Sequence, residues 1–323
     1  MKLRNIIFLG TPEFAVPTLE ILGKSAFKPV LTITQPDKPA GRKKRLTPPP
    51  VKLKSLELQI PVLQPENIND PEIVEKIEKL NPTIIITVAY GGYLGKRIRQ
   101  IPRLGCINLH PSLLPKYRGS APINYAIFNG DKETGNTIFK ITAKMDSGPI
   151  LFQSKTKIAE NECYTQLYQR LASLGANDVL KFLSLLEQGD IEDFRKLASY
   201  RKQNEKEATY SKKIEKEDLF LKWNRDAESI RNRVRGLALK PAAIAVFRGN
   251  RIKIIEIEIL PEKAEKTPGE IVEVRKNAGI IVAGADFNIL LKRVQPAGKK
   301  IMDSFAFSLG ARIKIGEKFS DGY

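Results

Sequence analysis

The stretch GCINLHPSLLPKYRG (residues 105–119) decides the predicted fold, because an apolar run ends abruptly within it. The run GCINL is typical of a buried strand, whereas Pro111 and Pro115 lack the N–H groups that a strand ladder needs. We therefore expect a strand that ends near His110. In open α/β sheets, ligands bind beyond the carboxyl ends of the strands, so this stretch is a candidate functional site.

Strand-like and helix-like segments alternate outward from this stretch, up to about residue 188. The predicted strands are 5–10, 29–35, 83–89, 105–109 and 136–142, and the predicted helices are 12–25, 71–80, 120–130 and 163–187. Continuous apolar strands separated by helices are typical of a sheet that is covered on both faces. The fold class that follows is α/β, with an open, doubly wound and mostly parallel sheet.

Beyond residue 206 the pattern changes to short strands divided by Gly, Asn, Pro and Lys. The predicted strands are 242–248, 252–260, 269–275, 279–284 and 287–294. Regular short strands with turn signals indicate a small antiparallel barrel or sandwich. Since 323 residues exceed the usual size of a single core, we expect a first domain at 1–188, a polar linker at 189–206 and a second, smaller domain at 207–323.

His110 is the only histidine in the chain, so a site that moves protons through an imidazole has to use it. Asn108 lies two residues earlier and would face the same side of an extended strand. An amide donor beside an imidazole suits the stabilisation of negative charge on a carbonyl oxygen. Asp146, in the string MDSGPI (145–150), also follows a predicted strand and would orient the imidazole if the sheet brings the two together. The alternatives are a structural histidine and an aspartate that only turns the chain.

Basic residues outnumber acidic ones, 54 to 36, and give a formal net charge of +18. This excess favours a polyanionic partner over a membrane surface. The densest basic run lies between Asp37 and Glu57 and contains no acidic residue. Because the run also contains Gly41 and several prolines, we expect a long exposed loop without a helix or strand, suited to phosphate contacts. A solvated charge run is the alternative. The basic residues of the run are Lys38, Arg42, Lys43, Lys44, Arg45, Lys52 and Lys54.

The sequence disfavours several classes of function. The first strand-to-helix turn, GTPEFA (10–15), has one glycine rather than the three of a dinucleotide fingerprint, and no GxxxxGK[ST] string occurs. Cys106 and Cys163 lack the spacing of a metal site, so we expect no metal. The apolar run after Lys2 and Arg4 is too short for a signal peptide or a membrane span. We therefore expect a cytoplasmic protein without a membrane partner.

Four strings closely resemble the methionyl-tRNA formyltransferase family, and the resemblance covers nearly the whole chain. The strings are FLGTPEFA (8–15), QPDKPAGRKKR (35–45), CINLHPSLLPKYRGSAPI (106–123) and MDSGPI. The NLHPSLLP string with its later Asp-Ser-Gly is shared by enzymes that use 10-formyltetrahydrofolate. GTPEFA and the basic string are characteristic of the branch that acts on tRNA. The resemblance implies that the second domain is a barrel of the oligonucleotide-binding type.

The resemblance also implies roles for individual residues. The catalytic set of the family falls on Asn108, His110 and Asp146. Its folate-contacting stretch falls on Ser112, Leu113, Leu114 and Pro115. Its acceptor-stem loop gives Arg42 a tRNA-contacting role, and the neighbouring cations that would share this role are Lys43, Lys44 and Arg45.

The implied reaction is formyl transfer from 10-formyltetrahydrofolate to the α-amino group of methionine on initiator tRNA, for translation initiation. We expect a monomer that needs no metal. Family members often carry a Pro-Trp-Pro type string soon after the Trp-Asn segment matched by Trp223 and Asn224, but this chain reads GLALKPAAIA (236–245). The missing tryptophan affects the packing at the entry of the second domain rather than the chemistry.

Three alternatives stay open. A formyltransferase that acts on a small amine, or a formyltetrahydrofolate hydrolase, would use the catalytic strings without the basic run or the second domain. A noncatalytic RNA-binding protein would use the charge and the barrel but not the Asn-His-Asp set.

Overall fold

The structure, a computed structural model, describes residues 3–41, 44–189, 202–239 and 241–322. The chain divides into two compact units. The first comprises the described residues of 1–122, 133–157 and 168–211, and the second those of 123–132, 158–167 and 212–323. Two segments that precede residue 189 in the chain therefore belong to the second unit. Of the predicted linker 189–206, residues 190–201 lie outside the described residues.

The first unit is built on a seven-stranded sheet, with a hairpin and a two-stranded pairing beside it. Its strands are β1 (Ile7–Gly10), β2 (Leu31–Ile33), β3 (Lys38–Ala40), β4 (Arg45–Thr47), β5 (Val62–Leu63), β6 (Ile85–Val88), β7 (Cys106–His110), β8 (Arg118–Gly119), β9 (Glu133–Lys140), β10 (Ile150–Lys157) and β11 (Tyr210–Ser211). The helices up to residue 189 are α1 (Val16–Gly23), α2 (Pro50–Glu57), α3 (Pro71–Lys79), α4 (Lys96–Gln100), α5 (Pro122–Phe128) and α6 (Tyr164–Gln188).

The sheet order is β10-β9-β7-β6-β1-β2-β5. The strands from β7 to β5 are parallel, whereas β9 runs antiparallel to β7 and β10 antiparallel to β9. All residues of β1 and β6 are buried, as strands of a sheet covered on both faces should be. The predicted mostly parallel α/β sheet is confirmed. Strand β10 was not predicted, because its second half is partly exposed and carries polar residues.

The basic run is not a loop without regular structure, as the sequence suggested. β3 and β4 form an antiparallel hairpin in which Pro39 pairs with Leu46, and α2 begins at Pro50. In a two-stranded ribbon alternate N–H positions point outward to solvent, so a proline at such a position costs no ladder hydrogen bond. Proline also fits the first turn of a helix, where the N–H groups have no partner inside the helix. The prediction was wrong because it counted prolines without their positions, although β4 is exposed as expected.

The second unit is built on an antiparallel sheet that closes on itself. Its strands are β12 (Ala243–Phe247), β13 (Asn250–Lys263), β14 (Ile271–Arg275), β15 (Gly279–Ala283), β16 (Phe287–Pro296), β17 (Met302–Asp303) and β18 (Phe319–Ser320), and its further helices are α7 (Ala227–Leu237) and α8 (Ser304–Ala311). The main path runs β14-β15-β16-β13-β12-β18. The two ends of this path meet, since Phe319 N–H donates to the Gly269 carbonyl at 2.8 Å and Ile271 N–H to the Glu317 carbonyl at 2.7 Å. The predicted barrel is therefore confirmed over the sandwich.

The barrel core includes Trp223, which is 1% exposed and lies 5.9 Å from Phe319 between ring centroids. Near Pro241, in the stretch that lacks the family's Pro-Trp-Pro type string, Ala242 and Ala243 are both buried. Small side chains thus occupy this part of the core. Lys240 lies outside the described residues.

Among the helices that the structure describes, none has both the length and the apolar character needed to cross a bilayer.

Candidate active site

Strand β7 places Asn108 and His110 at its carboxyl end. The strand is held on both sides, because Asn108 pairs with Thr87 of β6 in the parallel ladder and with Phe139 of β9 in the antiparallel one. The two side chains are two residues apart and therefore share one face of the sheet. His110 is 4% exposed and Asn108 is half-buried. An imidazole largely shielded from water thus lies beside a more accessible amide.

The His110 ring is fixed by one strong contact. Its Nε2 lies 2.9 Å from the backbone carbonyl oxygen of Tyr117. A carbonyl oxygen can only accept, so Nε2 carries the proton of this hydrogen bond. The ring also meets Phe139 edge-on, with centroids 6.4 Å apart and an interplanar angle of 82°. The nitrogen left to exchange a proton is Nδ1.

Asp146 lies on the Nδ1 side of the ring. Its Oδ2 is 3.8 Å from His110 Nδ1 and accepts a hydrogen bond from Gly119 N–H at 2.8 Å. The sequence placed Asp146 after a predicted strand and left open whether the sheet brings it to His110. β9 runs antiparallel to β7, so its carboxyl end lies beside the start of β7, where Lys140 pairs with Ile107. The β9–β10 loop, anchored at Gly119, brings the carboxylate to the imidazole.

Thr87 is a site residue that the sequence analysis missed. Its single hydroxyl proton faces two acceptors, Asn108 Oδ1 at 2.7 Å and the Ile107 carbonyl oxygen at 3.0 Å, and the shorter contact is the one to Asn108. With Oδ1 accepting from Thr87, the Nδ2 hydrogens of Asn108 face away from β6. Within the described residues no acceptor binds Asn108 Nδ2. The available signal was a polar residue near the end of the apolar run TIIITVA (83–89).

Of the four residues that the resemblance assigns to folate, two are buried and two are half-buried. Ser112 is fully buried and its hydroxyl donates to the Lys116 carbonyl at 2.6 Å. Leu114 is 3% exposed and belongs to an apolar cluster with Phe139 and Ile150. Leu113 and Pro115 are half-buried. The accessible surface of this stretch is therefore provided by Leu113 and Pro115 rather than by all four side chains.

Thr137 of β9 holds the backbone of the same stretch. Its hydroxyl donates to the Ser112 carbonyl at 2.6 Å and accepts from Leu114 N–H at 3.1 Å. Gln153 of β10 donates to the Leu114 carbonyl at 3.1 Å. These contacts fix the loop that follows His110 to the antiparallel edge of the sheet.

The basic residues of the run differ in what they contact. Arg42 and Lys43 lie outside the described residues. Lys44 and Arg45 are exposed on the β3–β4 hairpin, and no described carboxylate pairs with them. Two further cations of the run are bound to carboxylates: Lys52 to Asp37 at 2.8 Å and Lys54 to Glu57 at 2.7 Å. The hairpin thus presents positive charge to solvent, whereas much of the charge of α2 is paired.

Cys106, at the start of β7, is not placed for chemistry. It is 1% exposed, and burial raises the pKa of its thiol from 9.0 to about 12. A neutral thiol is a poor nucleophile. In the part of the chain that the structure describes, no group of three or more His, Cys, Asp or Glu residues could hold a metal ion.

Comparison with known proteins gives two matching family profiles and relatives that align over nearly the full chain. The Formyl transferase profile matches residues 4–183, and the Formyl transferase C-terminal domain profile matches residues 213–312. The methionyl-tRNA formyltransferase of Bacillus cytotoxicus is 39% identical over 98% of this chain and 99% of its own length. That of Clostridium tetani is 41% identical over 97% of this chain and 98% of its own length.

Solved structures support the fold. WlaRD, a sugar 3N-formyl transferase, aligns with a TM-score of 0.62 at 19% identity, over 93% of this chain and 100% of its own. HypX from Aquifex aeolicus in complex with tetrahydrofolic acid aligns with a TM-score of 0.60 at 16% identity; the alignment covers 97% of this chain and 48% of HypX. At sequence identities this low, structural similarity establishes only the fold. The relatives near 40% identity over their full length establish the family. This chain belongs to the formyl transferase family, in its methionyl-tRNA formyltransferase branch.

Proposed function

We propose that this chain transfers the formyl group of 10-formyltetrahydrofolate to the α-amino group of methionine on initiator methionyl-tRNA. The observation that carries the proposal is the similarity to methionyl-tRNA formyltransferases over 97–98% of the chain, through both units. The convergence of Asn108, His110 and Asp146 at one end of β7 supports it, because these groups suit acyl transfer to an amine.

In this reaction the neutral amine attacks the formyl carbon, and the formyl oxygen gains negative charge. Asn108 is suited to stabilise that oxygen, because Thr87 occupies its Oδ1 and leaves the Nδ2 hydrogens to donate. A donor held in place before the reaction stabilises charge in the transition state without reorganisation. When its Nδ1 carries a proton, the buried ring of His110 can donate a second hydrogen bond to the same oxygen.

The amine has to lose a proton as the bond to carbon forms, and N10 of the folate takes one up as it leaves. His110 Nδ1 is the nitrogen placed to take part, since Nε2 already donates to the Tyr117 carbonyl. When Nδ1 is protonated, the ring carries a positive charge 3.8 Å from the Asp146 carboxylate. Asp146 thus stabilises the charged ring and keeps Nδ1 directed to the reacting atoms.

The substrates are assigned to two surfaces of the first unit. Leu113 and Pro115 supply the accessible apolar surface for the folate, on a backbone held by Thr137. Lys44 and Arg45, with Arg42 and Lys43, bind phosphates of the acceptor stem. We further propose that the protein acts as a cytoplasmic monomer. Light scattering on the purified protein measures its oligomeric state.

The test is formylation of methionyl-tRNA by the purified protein. The protein is incubated with 10-formyltetrahydrofolate and methionyl-tRNA, and N-formylmethionyl-tRNA is measured by mass spectrometry of the released amino acid. Formate release without tRNA, or formylation of small amines at a comparable rate, would instead indicate a hydrolase or a small-amine transferase. If neither N-formylmethionyl-tRNA, nor formate, nor a formylated small amine forms, the protein is a noncatalytic RNA-binding protein and the proposal is wrong.

A further inference from the structure

Gln203 is a buried amide that bonds to the two loops flanking the His110–Asp146 pair. It is 9% exposed although its neighbours in the chain are exposed. Its Nε2 donates to the Asp146 carbonyl at 2.8 Å and to the Gly148 carbonyl at 2.8 Å. Its Oε1 accepts from Arg118 Nε at 2.9 Å. All of these residues belong to the first unit.

Arg118 connects this hydrogen-bond network to His110. Arg118 is fully buried and lies between the two residues whose backbones hold the site. The carbonyl of Tyr117 binds His110 Nε2, and the N–H of Gly119 binds Asp146 Oδ2. Through Arg118 and the Asp146 carbonyl, Gln203 joins the segment that fixes the imidazole to the loop that carries the carboxylate.

We propose that Gln203 is a positioning residue for formyl transfer, which sets the distance between His110 and Asp146 without touching the substrates. The inference rests on the proposed function and adds to it a residue 57 positions from Asp146 in the chain. A shift of about 1 Å in a reacting group can cost about 10²-fold in rate, so a residue that fixes a 3.8 Å contact has a kinetic role.

The chemistry of the position favours glutamine over other side chains. One terminal oxygen must accept from a guanidinium while the other terminal atom donates twice, and a neutral amide has this combination. A glutamate would keep the acceptor for Arg118 but would turn a second oxygen toward the carbonyls of Asp146 and Gly148. Gln203→Glu therefore removes both donations to the loop and leaves the contact with Arg118.

The segment that follows Gln203 in the chain also holds Tyr117 and Arg118, through hydrogen bonds to their backbone. Arg118 N–H donates to the Thr209 carbonyl at 2.9 Å, and Tyr117 N–H donates to Thr209 Oγ1 at 2.9 Å. β11 pairs with β8, with Ser211 opposite Gly119. Because these bonds do not involve Gln203, the Tyr117–Gly119 segment keeps its place in the variant, and the change acts on the Asp146 loop.

The experiment compares Gln203→Glu with Gln100→Glu in the full-length protein. Both substitutions turn a glutamine into a glutamate, so the change in charge is matched. Gln100 is exposed at the end of α4 and takes part in none of the hydrogen bonds of this network. We expect kcat of Gln203→Glu to fall about 10²-fold with the KM for tRNA within about threefold of wild type, and Gln100→Glu to match wild type in both.

Hydrogen exchange provides a readout that does not depend on the reaction. The Gly119 amide donates to Asp146 Oδ2, so its exchange should quicken in Gln203→Glu when the loop loosens, and should not change in Gln100→Glu. If Gln203→Glu fails to fold, Gln203→Met removes the same two donations without adding a charge, and also removes the contact with Arg118. Unchanged kcat together with unchanged Gly119 exchange in a folded variant would overturn the inference. If the wild-type enzyme does not formylate methionyl-tRNA, the proposed function is wrong. The exchange data then still decide whether Gln203 holds the loop that carries Asp146.

Discussion

The hydroxyl of Thr87 donates to Oδ1 of Asn108 across the β6–β7 pair, at 2.7 Å. The bond assigns the two ends of the Asn108 amide, because an oxygen that accepts from Thr87 leaves the nitrogen to face the site. A rotated amide would present an acceptor where the reaction develops negative charge. The orientation of the Asn108 amide, for which we propose a catalytic role, thus depends on a threonine in the neighbouring strand.

We expect Thr87→Val to lower kcat about fivefold, because the substitution keeps the shape of the side chain and removes one hydrogen bond of about 1 kcal/mol. Thr32→Val is the matched control. Thr32 is a buried threonine of β2 whose hydroxyl has no hydrogen-bond partner in the described part of the chain. Steady-state kinetics of both variants tests the expectation; equal kcat values for the two would show that Asn108 needs no help from Thr87.

Substitution of His110 by alanine should abolish transfer while folate and tRNA still bind. Loss of a general acid–base group typically costs ~10²- to 10⁴-fold in rate. The Tyr117 carbonyl, which loses its partner on the ring, still accepts from Ser211 Oγ at 3.3 Å, so the fold should persist. Single-turnover kinetics together with binding of each substrate measures the effect. Turnover close to wild type would remove His110 from the mechanism.

Asp146→Asn keeps an oxygen that can accept from Gly119 N–H and removes the negative charge beside His110. Unit charges about 4 Å apart interact by on the order of 1–4 kcal/mol, depending on screening, which corresponds to roughly 5- to 10³-fold in rate. We therefore expect a decrease of kcat in this range. Glu133→Gln, an exposed position at the start of β9, is the control for charge. A wild-type rate in Asp146→Asn would mean that Asp146 only turns the chain.

The hairpin variant Lys44→Ser/Arg45→Ser should bind tRNA more weakly and with a flatter salt dependence. Each lost phosphate contact lowers the slope of log affinity against log salt by about 0.7–0.9. The double variant should lose about 1.5 from the slope if each residue binds one phosphate. Lys76→Ser/Lys79→Ser on α3 removes the same charge from another surface and is the control. Identical slopes in the two variants would mean that the hairpin is only a solvated surface.

Thiol reagents should distinguish the two cysteines. Burial holds the Cys106 thiol neutral, with a pKa of about 12, whereas Cys163 is half-buried. At pH 8 the folded protein should therefore react with a disulfide reagent at Cys163 alone, and Cys163→Ser should react only after denaturation. Between pH 9 and 12 the unfolded chain loses the Cys106 proton while the folded chain keeps it, so this thiol lowers the free energy of unfolding as the pH rises. Rapid labelling of Cys106 in the folded protein would contradict both expectations.

The sequence by itself determined most of the sheet strands and longer helices, and the positions of His110 and Asn108. Apolar runs and turn residues are local features, and they located both the parallel sheet and the barrel. A single histidine followed by prolines located His110 at the end of β7, and the two-residue spacing of a strand placed Asn108 beside it. These features survive in the structure because burial of an apolar strand and the missing N–H of proline act at the position where the residue occurs.

The tertiary structure decided everything that depends on partners distant in the chain. Thr87 reaches Asn108 only because of the register between β6 and β7, and Asp146 reaches His110 through a loop after an antiparallel strand. Gln203 looked like part of a polar linker, yet it bonds Arg118 across 85 residues. Chain order does not specify such contacts, because register, loop path and the pairing of buried polar groups are set by the packing of the whole unit.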